Sequence, residues 1–198
     1  MASRIAFAAS AALAVRSAIA QQPGNIPEVH PALTTYKCTT DGGCVAQDTS
    51  LVIDWGNHKL ETTNGSACPV GKTSAVCSDS ISCNKNCVIQ GFDYEAGGVY
   101  TDGDVMTLKQ YVSTGNDTYN RASPRVYLLD PNGEDYESVK LTNQELSFDV
   151  DVSELPCGMN GALYLSEMAM SGGRNEFNPG AAYGGGYCDA QCFNTSSW

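Results

Sequence analysis

Apolar residues arrive along this chain in short bursts, separated by clusters of Gly, Asn, Asp and Ser. Some bursts are continuous, such as Leu51-Val52-Ile53, and others alternate with polar residues. This texture predicts strands at residues 50–55, 88–92, 107–111, 126–129, 145–152 and 162–167. Asp41-Gly42-Gly43, Asn132-Gly133 and Met159-Asn160-Gly161 provide turn chemistry between them. The strictest alternation is Leu146-Ser147-Phe148-Asp149-Val150-Asp151-Val152, which puts Leu146, Phe148, Val150 and Val152 on the inner face. No window carries a helical stripe of ten or more residues outside the first twenty. The fold class expected is all-β, a two-sheet antiparallel sandwich or jelly roll.

The first twenty residues read differently. Arg4 lies in a short basic region, an Ala-rich apolar stretch interrupted by Arg16 follows, and Ala18-Ile19-Ala20 forms an A-x-A cleavage pattern. We read residues 1–20 as a secretory signal and Gln21 as the first mature residue. The remaining 178 residues suit one domain, with no linker and no internal repeat. No later stretch approaches the length of a membrane span. A secreted, extracellular product is expected. Sequons at Asn64, Asn116 and Asn194 are candidate glycosylation sites on that route.

Charge narrows the partners. The formal net charge is −11, and loss of Arg4 and Arg16 with the signal takes it to −13. Nucleic acid and anionic membranes are poor partners for such a surface, whereas a neutral ligand is compatible with it.

Nine cysteines, an odd number, lie between Cys38 and Cys192. In an exported chain that leaves a free thiol, a bridge to another chain, or partners outside the sequence. Cys68, Cys77, Cys83 and Cys87 crowd into a polar stretch whose spacings are unlike paired C-x-x-C zinc ligands, so disulfides are expected there. His30 and His58, read as loop and turn or strand-edge residues, make no metal constellation, and no metal or other cofactor is expected. Phosphate loops, G-x-S-x-G elbows and HExxH motifs are absent from the sequence. Asp149, Asp151 and Glu154 form an acidic D-x-D-x-x-E run. Alternating acids on the outer face of a half-buried strand, followed by a turn at Leu155-Pro156, explain it without catalysis.

Three longer blocks carry a resemblance. They are LTTYKCTTDGGCVAQDTS at 33–50, QELSFDVDVSELPCGMNG at 144–161 running into ALYL, and YGGGYCDAQC at 183–192. With QQPG at 21–24 and PEVHP at 27–31, the chain resembles fungal cellulases of glycoside hydrolase family 7, the endoglucanase branch more than the cellobiohydrolase branch. The resemblance implies a jelly roll whose concave face binds a β-1,4-glucan polysaccharide. It also implies retaining hydrolysis by two glutamates and an auxiliary aspartate on an E-x-D-x-x-E strand.

That strand follows the YCDAQC block in the family and is not in this sequence. Residues 21–198 therefore look like the N-terminal half of the catalytic domain. The expectation is an inactive piece of an endo-β-1,4-glucanase that is a monomer at full length. The alternative is a secreted carbohydrate-binding protein without catalysis. By resemblance Cys38 pairs with Cys44, Cys68 with Cys87 and Cys77 with Cys83, leaving Cys157, Cys188 and Cys192 for partners further on.

Resemblance also assigns groove-lining positions to Arg125, Asn160, Tyr164, Tyr187, Asp189 and Gln191, residue types that suit sugar faces and hydroxyls. Alternation could bring Glu167 near the same groove, with nothing to mark it as catalytic. One departure stands out. Asn57 and Lys59 occupy positions where the family places an aromatic platform, and the role does not transfer to Trp55, two residues before Asn57.

Overall fold

The computed structural model describes residues 22–188. Eleven short strands are found among them, and one seven-residue helix. They are β1 (Gln22–Pro23), β2 (Thr35–Thr39), β3 (Gly43–Gln47), β4 (Ser50–Ile53), β5 (Leu60–Thr62), α1 (Ser80–Asn86), β6 (Cys87–Ile89), β7 (Val99–Asp102), β8 (Val105–Leu108), β9 (Tyr111–Gly115), β10 (Thr118–Arg121) and β11 (Val126–Leu129). No described helix is long and apolar enough to cross a membrane.

Three hairpins follow from local turn chemistry: β2–β3, β7–β8 and β9–β10. Asn116 and Asp117, between β9 and β10, both have positive φ (49° and 57°), the backbone of a two-residue turn that matches strand twist. Gly43 (φ 65°) serves the expected turn between β2 and β3, where the Cys38–Cys44 bridge joins directly opposed residues. The expected turn at Asn132-Gly133 also forms, with Gly133 at φ 70° and its amide on Asp130 O at 2.9 Å.

The centre of the described chain is the antiparallel pair β4–β11, in which Leu51, Val52, Ile53 and Leu129 are buried and Val126, Tyr127 and Leu128 half-buried. Leu51 and Ile53 join Tyr94 and Val99 on one side, while Val52 joins Leu129, Tyr136 and Ala181 on the other. A strand covered on both sides has no polar face, which is why Leu51-Val52-Ile53 is a continuous apolar run. The expected strand at 50–55 stops at Ile53, where Asp54 caps a 3-10 turn at Trp55–Asn57. The predicted strand at 107–111 is divided between β8 and β9, because Lys109 and Gln110 carry the chain from one hairpin to the next.

Cysteine chemistry replaces apolar packing in the polar stretch 68–87. Cys68–Cys87 and Cys77–Cys83 form there, as the resemblance implied. The sulfurs of Cys68, Cys77 and Cys87 lie within 4.8 Å of one another, but all three are spent on disulfides. Helix α1 starts on a reciprocal capping box between Asp79 and Ser82. Cys157 is exposed and unpaired, as expected. Cys188 corrects the expectation: it is disulfide-bonded.

The two later predicted strands, 145–152 and 162–167, are not strands. Both segments are exposed throughout and enter no ladder. Alternation specifies which side chains share a face, but a strand needs a neighbour to accept its amides, and the described residues offer none. The third predicted turn forms earlier than expected. It spans Pro156 to Met159, closed by Met159 N on Pro156 O at 3.1 Å, with Gly158 at φ 85° in the position that demands positive φ.

A buried polar knot fastens the N-terminal segment to this core. The Glu28 side chain, 4% exposed, accepts hydrogen bonds from His58 Nε2 (3.1 Å), the Phe92 amide (2.9 Å) and the Tyr94 hydroxyl (2.5 Å). Tyr94 in turn accepts the Ile53 amide at 3.2 Å. His30, in a loop as expected, donates from Nε2 to Ala182 O at 2.8 Å. His58, expected at a turn or strand edge, caps the 3-10 turn and is buried, its Nδ1 without a hydrogen-bond partner.

Candidate functional site

The β4–β11 register creates a charged pair where the apolar run ends. Val126 faces Ile53 and Tyr127 faces Val52, so the next step of the ladder sets Arg125 opposite Asp54, and the Asp54 amide donates to Arg125 O at 2.9 Å. Period-two alternation then places Asp54, Arg125 and Tyr127 on one face. Asp54 Oδ2 accepts Arg125 Nη2 at 2.6 Å, Arg125 Nε at 3.1 Å and the Tyr127 hydroxyl at 2.6 Å. Its other oxygen accepts the Gly56 amide at 3.0 Å.

Tyr187 reaches this face by way of the Gly-rich segment 184–186. Gly184 runs tight against β4, its carbonyl accepting the Trp55 amide at 3.1 Å, and a Cβ there would collide with the Ile53 carbonyl. Only glycine satisfies that contact together with a φ of 69°. The Tyr136 hydroxyl donates to Gly185 O at 2.6 Å and fixes the segment from the other side. As a result the Arg125 guanidinium lies 4.3 Å from the centre of the Tyr187 ring, in cation–π geometry. The Tyr164 hydroxyl is 3.3 Å from that of Tyr187, and the Tyr127 and Tyr187 rings lie 5.8 Å apart.

The electrostatics follow from the shared carboxylate. Burial works against the charge on Arg125, but the hydrogen bond to Asp54 and the negative charge of Asp54 more than offset it, so the guanidinium holds its proton more tightly than usual. Burial raises the Tyr127 phenol, and its hydrogen bond to the Asp54 carboxylate raises it further. The result is a fixed cation beside aromatic faces, with tyrosine hydroxyls at its margin. Such a surface can stack on a sugar ring and donate to its hydroxyls.

Of the six residues expected to line a groove, Arg125, Tyr164 and Tyr187 come together here. Asn160 is exposed and linked elsewhere, its carbonyl accepting Gln110 Nε2 at 3.1 Å. Asp189 and Gln191 lie outside the described residues, as do Asn194 and residues 1–20, the stretch expected to be a signal. Glu167 is exposed on the segment that forms no ladder. Asp151 accepts the Ser153 amide at 2.9 Å in a local turn and so shapes its own backbone, while Asp149 and Glu154 are exposed. Asp54 and Tyr127 were not expected. The signal available for them was an acid ending an apolar run and an Arg-x-Tyr alternation at the start of another.

Comparison with known proteins places this chain in a family. The model of glycosyl hydrolase family 7 matches residues 23–198. The chain belongs to that family. The family chain is 56% identical over 181 residues to "Endoglucanase EG-1" of Trichoderma longibrachiatum, which covers 89% of this chain and 39% of that protein. Among solved structures, the native Humicola insolens endocellulase EGI superposes with a TM-score of 0.77 at 44% identity, covering 88% of this chain and 45% of the other. An endoglucanase I complexed with cellobiose gives a TM-score of 0.75 at 44% identity, again covering 88% and 45%. The fold is thus the all-β jelly roll of the family. The chain spans less than half the length of these relatives.

Proposed function

We propose that this chain forms part of the glucan-binding groove of a secreted endo-β-1,4-glucanase and carries no catalytic pair of its own. The observation that carries the reading is the Arg125–Tyr187 stack, held by Asp54 and flanked by Tyr164, in a chain of this family. The tyrosine rings offer faces to pyranose C–H surfaces, and the guanidinium donates to hydroxyls. Hydrolysis with retention needs two carboxyl groups about 5–5.5 Å apart, one as nucleophile and one as acid/base. No E-x-D-x-x-E run occurs in the 198 residues, and the exposed acids at 149–154 are occupied with local turns or solvent. Binding without turnover is the activity this chain retains. Export in the reading above exposes Asn64 and Asn116, both on exposed turns, to glycosylation.

The test has two arms. The purified chain should take up cellotetraose, and Arg125→Gln should weaken that uptake; equal binding by both proteins overturns the groove assignment. On carboxymethyl cellulose the chain should release no reducing sugar. Hydrolysis abolished by Asp149→Asn or Glu154→Gln would show that the acidic run is catalytic after all.

A further inference from the structure

The proposed groove uses Arg125 and the tyrosines, and behind them the Asp54 carboxylate accepts from both Arg125 and Tyr127. Asp54 is 18% exposed and Arg125 44% exposed. The acid thus lies on the inner side of the pair and the guanidinium on the outer side. Both Arg125 bonds go to the same oxygen, Oδ2, and consume two of the five guanidinium N–H groups. The remaining donors are left for Tyr164 and for a ligand. We propose that Asp54 is a positioning residue for glucan recognition, holding the Arg125 guanidinium against the Tyr187 ring so that its free edge is presented to sugar hydroxyls. The proposal rests on the reading of Arg125 as a glucan-binding residue.

The two oxygens of Asp54 have separable tasks. Oδ1 caps the 3-10 turn through the Gly56 amide, and Oδ2 binds Arg125 and Tyr127. Asparagine keeps an oxygen for the cap, since it serves that role as well as aspartate does. It replaces the other oxygen with an N–H donor facing a cation. Asp54→Asn therefore removes the positioning task and spares the structural one. Loss of the carboxylate frees the guanidinium to leave the Tyr187 ring, and the entropy of ordering it must then be met on binding.

Cellotetraose binding to the full chain is measured by calorimetry for wild type, Asp54→Asn, Arg125→Gln and the double variant, with thermal unfolding in parallel. Arg125→Gln and Asp54→Asn should each weaken binding about tenfold, the scale of one charged hydrogen-bonding group. The double variant should bind no more weakly than Arg125→Gln alone, because Asp54 acts only through Arg125. Asp54→Asn should unfold close to the wild-type temperature. A spectroscopic readout comes from the Tyr127 phenol, whose ionisation in alkaline titration should move down in Asp54→Asn as the neighbouring negative charge disappears. Wild-type binding by Asp54→Asn, with binding weakened in Arg125→Gln, overturns the positioning role and leaves the groove reading standing. Additive losses in the double variant overturn it too. Unchanged binding in Arg125→Gln removes the groove reading itself.

Discussion

The β4–β11 ladder and the segment 144–165 are made of similar residues and end in opposite environments. Val52 and Ile53 are fully buried, whereas Phe148 and Val150, with equally apolar side chains, are 52% and 62% exposed. Each region is rich in β-branched and aromatic residues, and each lies beside turn-forming sequence. The difference is that β4 finds β11, and both are covered by Tyr94 and Val99 on one side and Tyr136 and Ala181 on the other. Residues 145–152 find no strand and no covering layer among the described residues. Strand propensity describes fitness for a pleated, half-buried surface, and it is realised only where that surface exists.

The largest expected effect tests whether the buried region is held by its polar knot as much as by its apolar contacts. Glu28→Ala leaves His58, the Phe92 amide and the Tyr94 hydroxyl without their common acceptor. Removing one member of a buried charged network costs about 3–5 kcal/mol. Urea unfolding should show that loss near neutral pH, and the loss should shrink in acid. Burial raises the Glu28 carboxyl, but the hydrogen bonds from His58 and Tyr94, the charge on His58 and the Phe92 amide together hold it below its ordinary value of 4.5. A depressed folded value means that the carboxylate stabilises fully above about the ordinary value, and that the contribution disappears as pH falls through the lower folded one. A Glu28→Ala penalty that stays constant from pH 7 to pH 3 would contradict this account.

The same two regions show what could be read from the residues alone. The apolar runs at 51–53 and 126–129 indicated strands correctly, though the first ends at Ile53 rather than at residue 55, because a run of β-branched and aliphatic residues suits a covered ladder. The first two turns were legible from Gly and Asn, whose conformational freedom is local. Leu146–Val152 had the cleanest alternation in the chain and still formed no ladder, since alternation assigns faces and says nothing about a neighbour. Arg125, Tyr164 and Tyr187 were reached by family resemblance. Asp54 was passed over as the end of an apolar run, because its importance depends on the β4–β11 register, which pairs residues 71 apart. The Glu28–His58 contact was hidden for the same reason, its partners being 30 residues apart in sequence.

A second, somewhat smaller effect sharpens the contrast within the core. Ile53 is fully buried between Leu51, Tyr94 and Val99, so Ile53→Ala should cost about 2–5 kcal/mol through lost burial and a residual cavity. Backbone hydrogen exchange should report the same division without mutation. Amides of 51–53 and 126–129 should be the slowest, and those of 145–152 should exchange nearly as fast as in a short peptide. Strong protection at 145–152 would mean that this segment has found a neighbour, through self-association if the protection grows with protein concentration.

The smallest effect is expected at Val150, and it is the most informative about the exposed face. In this chain the side chain makes little contact, so Val150→Ala should change unfolding free energy by less than about 0.5 kcal/mol. By alternation Val150 shares an apolar side with Leu146, Phe148 and Val152, and a covering layer would bury that side. In a chain lengthened to the span of the family relatives, a second layer over this face would bury Val150. Burial of one large aliphatic side chain is worth about 1.5–3 kcal/mol, of which Val150→Ala removes the share of two methyl groups. The substitution should therefore move from silent to a loss of about 1 kcal/mol or more when the chain is extended, read as the shift in urea midpoint at unchanged slope. A silent Val150→Ala in both contexts would mean that the alternation at 146–152 is not the inner face of a strand. The contrast between the two regions would then lie in the sequences themselves and not in what covers them.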